Sequence, residues 1–88
     1  MKVRNVNGTS RFSPKGGSWL DYWKEQTGES PYYCAANGCY ETDLVGAHVQ
    51  KVNSIDKCYY IVPLCRSCNQ RTDEFEVNKK LVPVPSNL

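Results

Sequence analysis

Two close cysteine pairs, Cys34 with Cys39 and Cys65 with Cys68, bracket His48, the only histidine of the chain. Cys65-Arg66-Ser67-Cys68 has the two-residue gap by which two thiolates reach one tetrahedral Zn²⁺ with bonds of about 2.3 Å. Cys34-Ala35-Ala36-Asn37-Gly38-Cys39 is a looser knuckle in which Asn37-Gly38 supplies a tight turn. Together the pairs predict one four-thiolate zinc site. The alternative is a pair of disulfides. Against it stand a fifth cysteine, Cys58, which leaves an odd thiol, and the polar start Met1-Lys2-Val3-Arg4-Asn5, which has no secretory leader pattern.

Length makes such a staple physically sensible. A chain of 88 residues is one domain, and domains near this size bury only about 60 to 65% of the surface their unfolded chains expose. No apolar run is long enough for a membrane span, so the expectation is a soluble, cytoplasmic protein. The net charge of +2 is too small to announce a polyanion partner by itself. However, Lys2, Arg4, Arg11 and Lys15 lie near the start without an acid among them, so residues 1–17 are expected to be a flexible basic arm able to lie along phosphates. Residues 18–88 are expected to form the single folded domain.

Ser18-Trp19-Leu20-Asp21 has the form of a helix N-cap, and Gly28 suits a left-handed C-terminal residue, so a helix is predicted between them with Trp19 and Trp23 on its core face. Leu44 to Val52 alternates as a strand, with Val45, Ala47 and Val49 on one face and Gly46, His48 and Gln50 on the other. Asn53 to Lys57 is rich in turn residues, and Cys58 to Val62 reads as the returning strand of a hairpin, with Cys58 a small buried thiol beside His48. Pro63 is placed where that strand ends. The second cysteine pair then opens a helix expected to run through about Glu74, after which Phe75 and Val77 alternate and Leu81, Val82 and Val84 form an edge segment limited by Pro83 and Pro85. The expected class is α+β.

A knuckle, a hairpin and a helix that donates the second cysteine pair is the treble-clef order. With a histidine on the first hairpin strand, the chain resembles the HNH, or His-Me finger, nucleases over Cys34 to about Asp73. The strings that carry the resemblance are Gly46-Ala47-His48-Val49 and Ile61-Val62-Pro63-Leu64-Cys65-Arg66-Ser67-Cys68-Asn69. The resemblance implies a structural zinc on Cys34, Cys39, Cys65 and Cys68, His48 as general base for phosphodiester hydrolysis, Asn69 as a ligand of a second divalent cation such as Mg²⁺, and DNA as partner. Arg66 and Arg71 are the candidate phosphate contacts. The signature is incomplete, because Ala47 and Tyr60 stand where the family has a metal ligand and an asparagine, and Glu41, Asp43 or Asp73 would have to substitute.

His48 therefore has three readings: a working base, a hydrogen-bonded histidine in a catalytically silent relative, or a zinc ligand in place of a cysteine. The competing class for the whole chain is a non-catalytic zinc module that binds nucleic acid or protein. A zinc base deaminase does not fit, since Gln50 stands where its His-x-Glu needs a glutamate and Leu64 separates Pro63 from Cys65.

Overall fold

A computed structural model describes residues 1–6 and 18–85. The elements run β1 (Lys2–Asn5), α1 (Trp19–Thr27), β2 (Leu44–Lys51), β3 (Tyr60–Cys65), α2 (Arg66–Asn69), β4 (Glu74–Glu76) and β5 (Val82–Pro83). The strands form a five-stranded antiparallel sheet in the order β4-β1-β2-β3-β5. The fold is α+β, as the sequence predicts.

The first helix obeys its caps. The Asp21 N–H donates to the Ser18 hydroxyl at 3.1 Å, and Gly28 takes φ 72° while its N–H closes on the Lys24 carbonyl at 2.8 Å. Trp23 is fully buried, and its indole N–H donates to the Lys80 carbonyl at 2.8 Å, so this aromatic fastens α1 to the C-terminal segment. Both tryptophans are core residues.

Alternation along β2 and β3 divides the interior into two layers. Ala47 and Val49 join Val62 and Leu64 on one side, where Val3, Ala35, Ala36, Phe75 and Val77 complete the core. Trp19 and Trp23 pack on Ile61 and Val82 on the other. Cross-strand pairing brings Gly46 opposite Pro63 and His48 opposite Ile61. Gly46 is where α1 touches the sheet: a Cβ there would stand 2.5 Å from Leu20 N and Trp19 C.

Several elements differ from expectation. The supposed arm begins with a strand, β1, set between β2 and β4 with Val3 wholly buried; the rest of that stretch, residues 7–17, lies outside the described residues. One buried valine among polar neighbours is too faint a pattern to mark a strand whose partners are far along the chain. Its cations also face acids, since Lys2 is paired in register with Glu76 and Arg4 with Glu74. Thus this part of the chain is not an open basic surface.

Pro63 sits within β3 rather than at its end. Its carbonyl accepts the Ala35 N–H at 2.9 Å, away from β2, so its nitrogen also faces away from the ladder and the missing donor costs no strand bond. The second helix stops at Asn69 instead of near Glu74. Short-range bonds from Gln70 N–H to Ser67 and from Arg71 N–H to Cys68 tighten its end, and pairing of Glu74–Glu76 with β1 draws the following residues into the sheet.

Candidate metal centre

The knuckle is shaped by its own turn and held by the sheet. Cys39 N–H closes on the Ala36 carbonyl at 3.0 Å, with Gly38 at φ 80° where a side chain would be strained. Cys34 N–H reaches the Glu41 carbonyl, Asn37 N–H the Glu76 carbonyl and Asn78 N–H the Ala35 carbonyl. These bonds carry Cys34 and Cys39 to the place where β3 ends at Cys65 and α2 supplies Cys68.

There the four sulfur atoms lie within 4.8 Å of one another. The Cys39 and Cys65 sulfurs are 3.7 Å apart. That is the edge expected of a tetrahedron with arms of about 2.3 Å, roughly 3.8 Å, and far beyond a disulfide bond of about 2.05 Å. All five cysteines are free thiols. Cys65 N–H donates to Cys34 Sγ at 3.2 Å and Cys68 N–H to Cys65 Sγ at 3.4 Å, so backbone donors already point at two of the sulfurs. The donor at Cys34 Sγ favours the thiolate form that a metal requires, against the burial of that sulfur.

Burial works in the other direction. It pushes the Cys34 thiol up, and together with the neighbouring sulfurs it lifts Cys68 to about 12. The half-buried Cys39 is held below its ordinary value by a backbone hydrogen bond at Glu41. Cys34 and Cys68 thus resist ionising on their own, and a divalent cation at the centre of the four sulfurs would supply the compensating charge. Among the described residues this is the one gathering of His, Cys, Asp and Glu side chains able to hold a metal ion. The residues fit a tetrahedral thiophilic ion.

Asn5 supports the centre from β1. Its side-chain N–H₂ donates to the carbonyls of Cys68 at 2.8 Å and Arg71 at 2.9 Å, while its Oδ1 is buried without a hydrogen bond among the described residues. It thereby fixes the turn that carries Cys68. Asn5→Asp turns both donors into an acceptor aimed at carbonyls, and should destabilise the fold by about 2 kcal/mol or more in urea unfolding, worse than Asn5→Ala. Faster transfer of the metal to a chromogenic chelator should accompany it; unchanged transfer would show that the turn holds itself.

His48 lies apart from the thiols. It is 7% exposed, and its ring meets Trp19 edge to face at 5.0 Å beneath α1, whereas the buried cysteines belong to the core on the opposite side of β2. It is not grouped with the sulfurs as a ligand. Burial lowers its pKa, so the imidazole is neutral at physiological pH. Ala47, preceding it, is buried in the other layer.

Tyr60 bonds through its hydroxyl to Asp56 Oδ2, and Lys51 lies 4.7 Å over its ring and 3.6 Å from the same carboxylate. Asp56 is held down near 2, first by Tyr60 and then by hydrogen bonds at Cys58. This network braces the loop of the hairpin. Cys58 is in that loop and exposed, rather than buried on a strand beside His48, and the Asp56 carboxylate pushes its thiol up.

Of the two candidate phosphate contacts, Arg66 is exposed at the start of α2. Arg71 is occupied: its guanidinium makes two bonds to Asp73, at 2.9 and 2.5 Å, and lies 4.5 Å over the Phe75 ring. Asn69 is half-buried at the end of α2, and Glu41 and Asp43 are exposed. No helix among the described residues is long and apolar enough to cross a membrane. Comparison with protein-family models, with curated proteins and with solved structures finds no match to this chain.

Proposed function

We propose that Cys34, Cys39, Cys65 and Cys68 hold one structural Zn²⁺ in a treble-clef-like site, and that the chain is an HNH-like interaction module that does not cut phosphodiesters. The observation that carries this reading is the cage of four sulfurs within 4.8 Å of one another. Two soft thiolate pairs select Zn²⁺ over hard cations, and four protein ligands leave no open position for water or substrate. Bound there, zinc supplies cross-linking rather than Lewis-acid chemistry, joining the knuckle to β3 and α2.

The non-catalytic form is favoured over a nuclease by His48. A general base has to come within hydrogen-bond reach of the attacking water, yet this ring is buried against Trp19 under a helix. Ala47 offers no metal ligand beside it, and Tyr60 is committed to Asp56. Nucleic-acid binding along the β1 cations is disfavoured by their Glu74 and Glu76 partners and at Arg71 by Asp73.

Metal analysis together with plasmid nicking tests the reading. The purified chain should contain one zinc per molecule and should not nick supercoiled DNA with Mg²⁺ or Mn²⁺. A second bound metal and a nicking activity abolished by His48→Ala would instead establish the nuclease.

A further inference from the structure

We infer that the outer face of the zinc knuckle, formed by Tyr32, Tyr33 and Tyr40, is a docking surface for an arginine-bearing segment of a partner protein. This inference rests on the reading of the domain as a zinc-stabilised interaction module and names the chemistry of its partner.

Tyr32, Tyr33 and Tyr40 are 68, 47 and 74% exposed. They are not scattered. Tyr32 and Tyr33 meet edge to face with ring centres 4.8 Å apart, and Tyr33 meets Tyr40 in the same manner at 5.7 Å. Single exposed aromatics are ordinary on protein surfaces, whereas a contiguous cluster of tyrosines is characteristic of an interface centre. The fold holds the cluster in place, because Tyr33 precedes the ligand Cys34, Tyr40 follows the ligand Cys39, and the Cys34 N–H to Glu41 carbonyl bond of 2.9 Å ties the two segments side by side. Little ordering entropy remains to be lost on binding.

Charge selects the occupant. From Gly28 to Gln50 the chain contains Glu29, Glu41 and Asp43 and no lysine or arginine, although the chain as a whole is net positive. Glu29 faces Lys80 at 3.9 Å, but Glu41 and Asp43 are exposed in the segment that carries Tyr40. A zinc ion bound by four thiolates is itself net anionic, and the one cation next to a ligand in sequence is Arg66. Aromatic faces above an anionic surface attract cations. A guanidinium stacks on a tyrosine ring and forms paired hydrogen bonds with a carboxylate, which an ammonium group does less well. Bases could stack on such rings, but their phosphates would then lie against carboxylates.

The test uses the zinc-loaded full chain and three fluorescent probes in anisotropy titrations: a short peptide alternating glycine and arginine, the same peptide with lysine, and oligothymidine. The arginine peptide should bind more tightly than the lysine peptide. Tyr32→Ser with Tyr40→Ser should weaken it by about fivefold or more, and Tyr32→Phe with Tyr40→Phe should leave it nearly unchanged, since the ring face is the acceptor. Glu41→Gln with Asp43→Asn should also weaken it. Equal binding of the two peptides, or arginine-peptide binding indifferent to the serine or carboxamide substitutions, overturns the proposal. Oligothymidine binding lost in the serine variant overturns it in favour of nucleic acid. Cobalt substitution, read from the thiolate charge-transfer band, is measured on each variant. Absence of that band in the native chain defeats the zinc reading itself, while an intact band without peptide binding defeats only this inference.

Discussion

Stripping the metal with a strong chelator is expected to unfold this domain, with loss of its sheet signal in circular dichroism and recovery on adding Zn²⁺. The magnitude follows from the size of the chain. Small domains are stable by about 5 to 15 kcal/mol in total, and structural zinc in finger-sized peptides contributes an apparent 10 to 16 kcal/mol, as an order of magnitude. Here the ion would bridge the knuckle, the end of β3 and α2, the three segments that supply its ligands. Without it, the buried Cys34 and Cys65 keep neighbouring sulfurs but lose the cross-link between the knuckle and the end of β3. Cys34→Ser should therefore be as damaging as chelation, and Cys39→Ser, at the half-buried ligand, less so. A chain that keeps its ordered sheet in excess chelator would remove zinc from the account of its stability.

Gly46→Ala is expected to be the most disruptive single methyl that can be added to the sheet. The new Cβ would lie 2.5 Å from Leu20 N and Trp19 C and 2.7 Å from Trp19 Cβ. Two of these neighbours are backbone atoms of α1, which cannot rotate away as a side chain could. The helix has to lift off β2, opening the packing of Trp19 and Trp23 on Ile61 and Val82. Overpacking of this kind costs about 3 kcal/mol or more, equivalent to a fall in Tm on the order of 15 °C for a domain of this length. Thermal unfolding of the zinc-loaded protein measures it directly. A shift of only a degree or two would mean that α1 is not seated as closely as the contact requires. Because Gly46 meets α1, whereas the buried cysteines belong to the core layer on the opposite side of β2, the Co²⁺ spectrum of the variant should change less than its Tm.

What the sequence reveals here follows the range of its signals. The α1 helix was readable because its caps are local: Ser18 and Gly28 act within a few residues of the bonds they make. The β2 and β3 hairpin was readable from its alternation, and the cysteine cluster from its spacing. By contrast, β1 and β4 pair across most of the chain and contribute few buried residues, Val3, Phe75 and the adjoining Val77. No local pattern states that Lys2 faces Glu76. The same long-range pairing shortened α2, since residues Glu74 to Glu76 gain strand partners that an extended helix would deny them.

At the candidate site, the period of two correctly put His48 opposite Ala47 and Val49. It could not say that α1 would cover it. Exposure is a property of the third layer, set by Gly46 admitting the helix and by Trp19 closing over the ring. Likewise, Cys58 had a strand-like neighbourhood in sequence, but Asp56 turns the chain there by accepting the Cys58 N–H at 2.8 Å, leaving the thiol outside the ladder.

The position of β1 has a consequence for what counts as the minimal folding unit. β4 joins the sheet only through β1, and Asn5 ties the same strand to the turn behind Cys68. A fragment trimmed to the cysteine-bearing stretch would keep every ligand and yet lose the strip that aligns them. The smallest autonomous piece of this protein is thus defined by the β1 tether together with the cysteine motif, not by the motif alone.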